Sequence, residues 1–588
     1  MVSTRGCLQW ESQRLGGVLK ACRKASGRLL LASVALPSVV NAQSIVGGLA
    51  IKQGPNPSVP LAAVLSLTTD QPTKVFVTAK SGDRTWEFEF PRDQELQREL
   101  PIIGLPGGRT YDITVSVEAP GGKRANAAAP LSYRTPPLPK VGLTWPLIKP
   151  EIADGAKLEP GYRFVSIRRR PVGRPAWLTR KQQEFARGWG LIAALDQKGE
   201  VAWYYISDRR VAGIKPLANG NLLFNTEDQR TIEMDLLGNL KTQWYAEYRP
   251  QGPTADAVPI KGIQSLHHEP SPTPWGTFIS MAAIGRKIDN YLTSVTDPNA
   301  PRAPAIVMGD RIVEFDRQGN VLWDWNAFDY LDPFRVHYHL LQPYWPTRGF
   351  KDHLDWSHGN GVDFDIKSDT VVISLKHMDS VFGIDRKTKK IKWILGEPTG
   401  WSPELAKKVL RQVGLLRYPY SPHHPSITPE GTLVYYDNGL LQARPFTGKP
   451  IVPFSKSFSR AVEVKIDEKA MTATEVWTSD TGQTPDSCTN WAMGDAKSLP
   501  ETGNMFVVRA FCPPIRADLQ DEDEFDASRR FVDDVVYGAR IEEYSRTRPA
   551  RLLSRIRIED PNEVMQWQVY GGFHKPTFYW ATPTKSTR

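Results

Sequence analysis

Cysteine is nearly absent from this sequence, with four residues in 588, and two of them, Cys7 and Cys22, fall in an amino-terminal leader. At most one bridge is left to the mature chain, Cys488 with Cys512, which would staple a late loop in an oxidising compartment; the alternative is two buried thiols. Long apolar runs are missing too. The longest near the amino terminus, Leu29 to Val40, is broken by Pro37 and Ser38 and falls short of the ~20 residues of a spanning helix. Basic runs are lacking, and Asp521-Glu522-Asp523-Glu524 is acidic, so nucleic-acid binding has no footing. With so few cysteines, well apart, and no calcium or quinone motif, a quinoprotein has little support.

Arg5, Arg14, Lys20, Arg23, Lys24 and Arg28 precede the apolar run, and Val40-Asn41-Ala42 comes after it. This pattern predicts a signal peptide over residues 1–42 and export, with cleavage after Ala42. No adjacent arginine pair precedes the apolar stretch, which points to the general secretory route. The leader's six basic residues and one glutamate carry half of the net charge of +10. The mature chain is therefore only mildly basic.

Glycine (45), proline (48) and aromatic residues (10%) are plentiful, a composition of many turns and strands. Leu61 to Thr68, Thr73 to Thr78, Thr85 to Phe90 and Thr110 to Val117 read as short strands, the third with strict alternation. The stiff run Thr135-Pro136-Pro137-Leu138-Pro139 then marks a boundary. Residues 43–135 are expected to form a small β-sandwich. Beyond it a loose repeat recurs, in which an apolar strand reaches an aspartate, turns, and continues to a tryptophan. The copies run from Asp196 to Trp203, Asp235 to Trp244, Asp316 to Trp323, Asp385 to Trp393 and Asp467 to Trp477, with a degenerate sixth from Ala539. Residues 136–588 are expected to be an all-β, six-bladed propeller whose tryptophans pack between blades.

Histidine is scarce, at ten residues. His268 lies six residues before Pro274, and His423 six before Pro429, each pair ahead of a strand-entering turn; equivalent positions on inner strands meet at one axial opening. His358 precedes the strand Val371 to Leu375, read as another inner strand, and Lys376 closes that strand. Three readings stand side by side. The histidines are satisfied polar residues at strand ends, or a zinc or copper site, or a metal-free nucleophilic centre acting on an anionic group. A secreted binding propeller is the non-enzymatic alternative.

Four segments carry a family resemblance: His267-His268-Glu269, Asp355-Trp-Ser-His358-Gly-Asn360-Gly-Val-Asp363, Ser374-Leu-Lys376-His377 running on to Asp385, and Pro422-His423-His424-Pro425 continuing to Tyr436-Asp437-Asn438-Gly439. They resemble signature segments of the bacterial arylsulfate sulfotransferases, and Asn56 to Thr69 is similar to that family's amino-terminal domain. The resemblance implies a periplasmic enzyme, a homodimer among its allowed states, that needs neither cofactor nor metal. It would move a sulfuryl group from an aryl sulfate to a phenol by ping-pong through a sulfohistidine, without the nucleotide donor PAPS. It implies His423 as nucleophile, His268 and His358 in sulfate binding and proton transfer, and Asn360 as a substrate donor. His267 and His424 are adjacent alternatives in substrate binding. Lys376 stands where the family has arginine, a mobile point charge in place of a bidentate fork. Cys488 and Cys512 lie farther apart than the family's paired cysteines, so that bridge is not carried over.

Overall fold

The computed structural model describes residues 45–173, 178–482, 484, 486–513 and 536–581; the leader and the acidic run at Asp521 to Glu524 lie outside them. The described chain is all-β. Among these residues no helix is long and apolar enough to cross a membrane.

The first strands make two antiparallel sheets over a shared core. One sheet orders Ile45–Gln53, Ala63–Thr69 and Gln97–Ile102; the other is built on Lys74–Ser81 and Thr110–Glu118. Alternation drives the packing: Val75, Val77 and Ala79 point inward with Tyr111, Ile113, Val115 and Val117, against Leu65, Leu67 and Leu100. Ile45–Gln53 and Gln97–Ile102 escape a reading by period. The first shifts register at Gly47 and again before Ala50, and the second contains Pro101. Two ion pairs, Arg84 with Asp196 at 2.8 Å and Arg109 with Glu200 at 2.5 Å, tie these sheets to the turn between Gly190–Leu195 and Val201–Ser207.

Six more sheets make up the rest of the described chain, each built on four antiparallel strands. Their innermost strands are Met565–Lys575, Val211–Pro216, His267–Pro272, Gly359–Asp365, His423–Ile427 and Asp495–Ser498. Each packs against the next, and the last against the first, in a closed ring of neighbours. The first sheet joins Tyr162–Pro171 to the late strand Met565–Lys575.

The repeated aspartate and tryptophan have separate tasks. The aspartate caps its hairpin turn: Asp196, Asp235, Asp316, Asp385 and Asp467 each accept backbone N–H groups two to four residues on. The tryptophan reaches outward. Its indole N–H donates to the turn of the corresponding hairpin in the next sheet: Trp203 to Leu236 O, Trp244 to Arg317 O, Trp323 to Arg386 O, Trp393 to Glu468 Oε1 and Trp477 to Ser545 O, over 2.7–3.2 Å. Five joints are stitched this way. At the sixth the chain itself crosses from Leu552–Glu559 to Met565–Lys575.

Two details differ from the sequence reading. The strand beginning at Thr370 is second in its sheet, and the inner strand is Gly359–Asp365, whose Gly-Asn-Gly start hides it from a hydrophobic pattern. His268 and His423 are not ladder equivalents either. His267 opposes Met281 and His423 opposes Tyr436, but the bulge after His267 holds two extra residues and the one after His423 holds one.

Cys488 and Cys512 form a disulfide with Cα atoms 4.8 Å apart. It fastens the segment that carries Asn490 and Met493. Replacing both cysteines by serine is expected to lower stability by about 3 kcal/mol, read as a lower denaturant midpoint. Equal midpoints for variant and oxidised parent would contradict a stabilising role.

Candidate active site

The ends of the inner strands open into a cavity of about 680 Å³, lined by His267, His268, His358, Lys376 and His423 together with Tyr344, Trp491, Met493 and Tyr570. Three histidines beside the strand bulges, His268, His358 and His424, hold φ values of 58°, 49° and 45°. This left-handed region is uncommon for residues other than glycine and is held only where surrounding contacts impose it.

His268, His358 and His423 are each held through Nδ1. His423 Nδ1 lies 2.7 Å from Asn438 Oδ1. The Asn438 amide cannot be turned round, because its Nδ2 donates to both Asn490 O (2.9 Å) and Met493 O (3.0 Å). His423 Nδ1 must therefore carry the proton, which leaves a lone pair on Nε2. His358 Nδ1 lies 2.5 Å from Asp355 Oδ2, while Asp355 Oδ1 accepts the Trp345 indole at 2.9 Å. His268 Nδ1 lies 2.7 Å from His267 Nδ1, and His267 Nε2 donates to Ala282 O at 3.1 Å. The proton between the two rings thus belongs to His268, and its Nε2 is also bare. The His268 and His358 ring centres are 5.2 Å apart.

Burial pushes all three imidazoles well below their ordinary pKa. His267, His358 and His423 add to this at His268; Lys376 and His267 at His358; His424, Lys376 and His358 at His423. The rings are neutral at pH 7. The site offers three uncharged nitrogen lone pairs beside the buried amine of Lys376.

Lys376 is buried, with Nζ 3.2 Å from His339 Nδ1 and 5.7 Å above the Trp491 ring. Asn360 and His424 do not line the cavity. Asn360 Nδ2 donates to Pro422 O at 2.9 Å and its Oδ1 accepts Ser374, which fixes the segment leading into His423. His424 donates to Gly494 O through Nδ1 at 2.6 Å and turns its ring towards Tyr570.

Sequence reasoning missed a second layer. His337, His339 and His377 continue the row of rings, with His377 stacked on His358 at 4.8 Å and on His337 at 4.9 Å. Arg444 binds the segment by donating to His377 O and Val336 O. Only the scarcity of histidine, with eight of ten gathered here, could have flagged them. By distance alone His337, His339 and His377 could hold a metal ion, as could Asp355, His358 and His377. The protonation pattern opposes it. His337 Nδ1 accepts the His339 amide at 3.1 Å and so keeps its proton on Nε2, and Lys376 Nζ already occupies His339 Nδ1. In the second set, Asp355 Oδ2 is already bonded to His358 Nδ1, and Asp355 Oδ1 to the Trp345 indole.

Against known proteins, the model of the family described as arylsulfotransferase matches residues 182–545. The chain is 31% identical over 328 residues to an arylsulfate sulfotransferase of Lelliottia amnigena, covering 48% of this chain and 51% of that one. It is 28% identical over 327 residues to the enzyme of the same name from Escherichia coli O6:H1, with the same coverage. The chain thus spans about half the length of the curated relatives it matches. Among solved structures, a protein of unknown function from Bacteroides caccae aligns over 71% of this chain and all of its own, at 10% identity and a TM-score of 0.34.

The buried histidines make stability depend on pH. Seven of the clustered rings are depressed, His267 to about 4. Each takes up a proton near its ordinary value of ~6.5 once unfolded. Their contribution is full above that pH and is lost as pH falls through the window towards the folded values. Asp310, raised by burial to about 7, and Asp355, Asp363 and Asp379, also raised by burial, act in the opposite sense, four groups against seven. Chemical denaturation should show lower stability at pH 5 than at pH 7.5, with protons taken up on unfolding; equal stabilities would refute the neutral cluster.

Proposed function

The chain belongs to the arylsulfotransferase family, and from that premise we propose that it moves a sulfuryl group from an aryl sulfate ester to a phenol through a covalent intermediate on His423. The observation that carries this reading is the Asn438 clamp, which sets His423 as a neutral imidazole with its Nε2 lone pair free for attack.

In the donor half-reaction, Nε2 of His423 forms a bond to sulfur as the bond from sulfur to the aryl oxygen breaks. The positive charge that grows on the ring is stabilised through Nδ1–H by Asn438 Oδ1. Phenolate is a tolerable leaving group, because phenol has a pKa of ~10, so aryl esters suit the site better than alkyl esters. Lys376 and the His268 ring flank the sulfuryl oxygens and the departing oxygen. In the acceptor half-reaction, His358 takes the phenolic proton at Nε2, with Asp355 steadying the imidazolium. The acceptor oxygen bonds to sulfur, and the pair in the N–S bond returns to His423. Overall one proton passes from acceptor phenol to donor phenolate, and no nucleotide donor enters.

The closed ring of six sheets supports a six-bladed propeller, and the two sheets over residues 45–134 support a sandwich domain ahead of it. The leader pattern and the disulfide support export to an oxidising compartment, the periplasm.

Purified protein given 4-nitrophenyl sulfate and a phenol, without PAPS, should form the new aryl sulfate. Donor alone should leave a sulfuryl group on the peptide that contains His423. His423→Ala should abolish both, and Asn438→Ala should lower kcat on the order of a hundredfold with KM little changed. Label on another peptide, or transfer surviving in the His423 variant, would overturn the assignment.

A further inference from the structure

The cavity carries more positive charge than a sulfate ester requires. Beyond the histidines its wall holds Arg168, Arg170, Arg187, Arg210 and Arg348, with Glu227 among them. Glu227 is shared between Arg210 (3.3 Å) and Arg348 (3.4 Å). Although burial opposes it, Arg210, Arg348, Arg168 and Arg187 hold the Glu227 carboxyl down to about 2. Among the described residues no carboxylate pairs with Arg168. Its Nε donates to Val211 O at 2.7 Å and its Nη1 lies 3.6 Å from Met493 Sδ. Five guanidinium groups thus share a concave, partly desolvated space with two carboxylates, Glu227 and Asp355, an excess of positive charge that draws anions.

The arrangement is layered. The Arg168 guanidinium lies 4.3 Å over the Tyr570 ring, whose centre is 6.2 Å from that of His268. The Arg348 guanidinium lies 3.7 Å over Tyr344, whose ring centre is 4.5 Å from that of His358. On two sides, then, one aromatic ring separates an arginine from a histidine. A substrate ring lying along the tyrosines, with its reacting oxygen among the histidines, would carry its far substituent to the arginines. The volume, about 680 Å³, suits such a molecule.

We propose that Arg168 and Arg348, with Arg210, form a second anion subsite that selects aryl substrates bearing an anionic ring substituent, such as a carboxylate, opposite the reacting oxygen. This rests on the sulfuryl-transfer reading. The planar fork of arginine gives a carboxylate two parallel hydrogen bonds, and a neutral substituent leaves those donors unmatched.

The test uses the full mature chain with 4-nitrophenyl sulfate as a common donor and two acceptors, 4-hydroxybenzoate and its methyl ester. The ratio of kcat/KM for acid over ester is measured in the parent and in Arg168→Gln, Arg348→Gln and Arg168→Lys, each first shown to unfold at the parent's midpoint. A parent ratio above one that falls about tenfold in either glutamine variant, with the lysine variant between, supports the subsite. A ratio that stays unchanged in both glutamine variants, or a parent that prefers the ester, overturns it while leaving sulfuryl transfer standing. Absence of transfer to any phenol from any aryl sulfate removes the functional reading and the subsite with it.

Discussion

The structure depends on how each sheet is fastened to the next. A buried indole on an outer strand donates its N–H to the hairpin turn of the adjoining sheet, and at four of the five joints an aspartate shapes that same turn. These bonds fix the angle between neighbouring sheets, and the angle decides where the inner strands converge. His267 and His423 begin inner strands, and His268 and His358 flank such beginnings. They meet because five such joints and one chain crossing close the ring. The histidine cluster is thus a consequence of outer-strand tryptophans that never touch it.

Much of this was legible because the joints repeat. Aspartate, turn and tryptophan recur with an apolar strand before them, and each of these copies is a hairpin formed by the third and fourth strands of a sheet. The inner strands were harder to read. Gly359–Asp365 starts with Gly-Asn-Gly and buries both glycines and the asparagine, so neither period nor propensity marks it. The bulges were invisible too, since one extra residue in a ladder leaves no trace in a pattern of apolar spacing. That is why His268 and His423, matched by their distance to a proline, proved to be one step out of register.

At the site, residue types were legible and their protonation was not. Histidine scarcity and family-like segments picked out His268, His358 and His423. The partner that sets the state of His423 is Asn438, fifteen residues later in sequence, and its own orientation depends on carbonyls of Asn490 and Met493 in a loop held by the disulfide. Such a chain of hydrogen bonds cannot be read from spacing. Nor can the difference between Asn360, spent on holding the backbone before His423, and a free donor. Burial keeps the imidazoles neutral at some expense in stability below neutrality, while the left-handed backbone at His268 and His358 stores local strain in the same place.

The closing pair of strands carries a consequence for timing. Tyr162–Pro171 and Met565–Lys575 lie side by side, and the later strand supplies Tyr570 to the cavity while the earlier one supplies Arg168. Everything between them must be synthesised before the wall can form. A chain that is partly made has no assembled reaction site, and contacts of such long range form slowly.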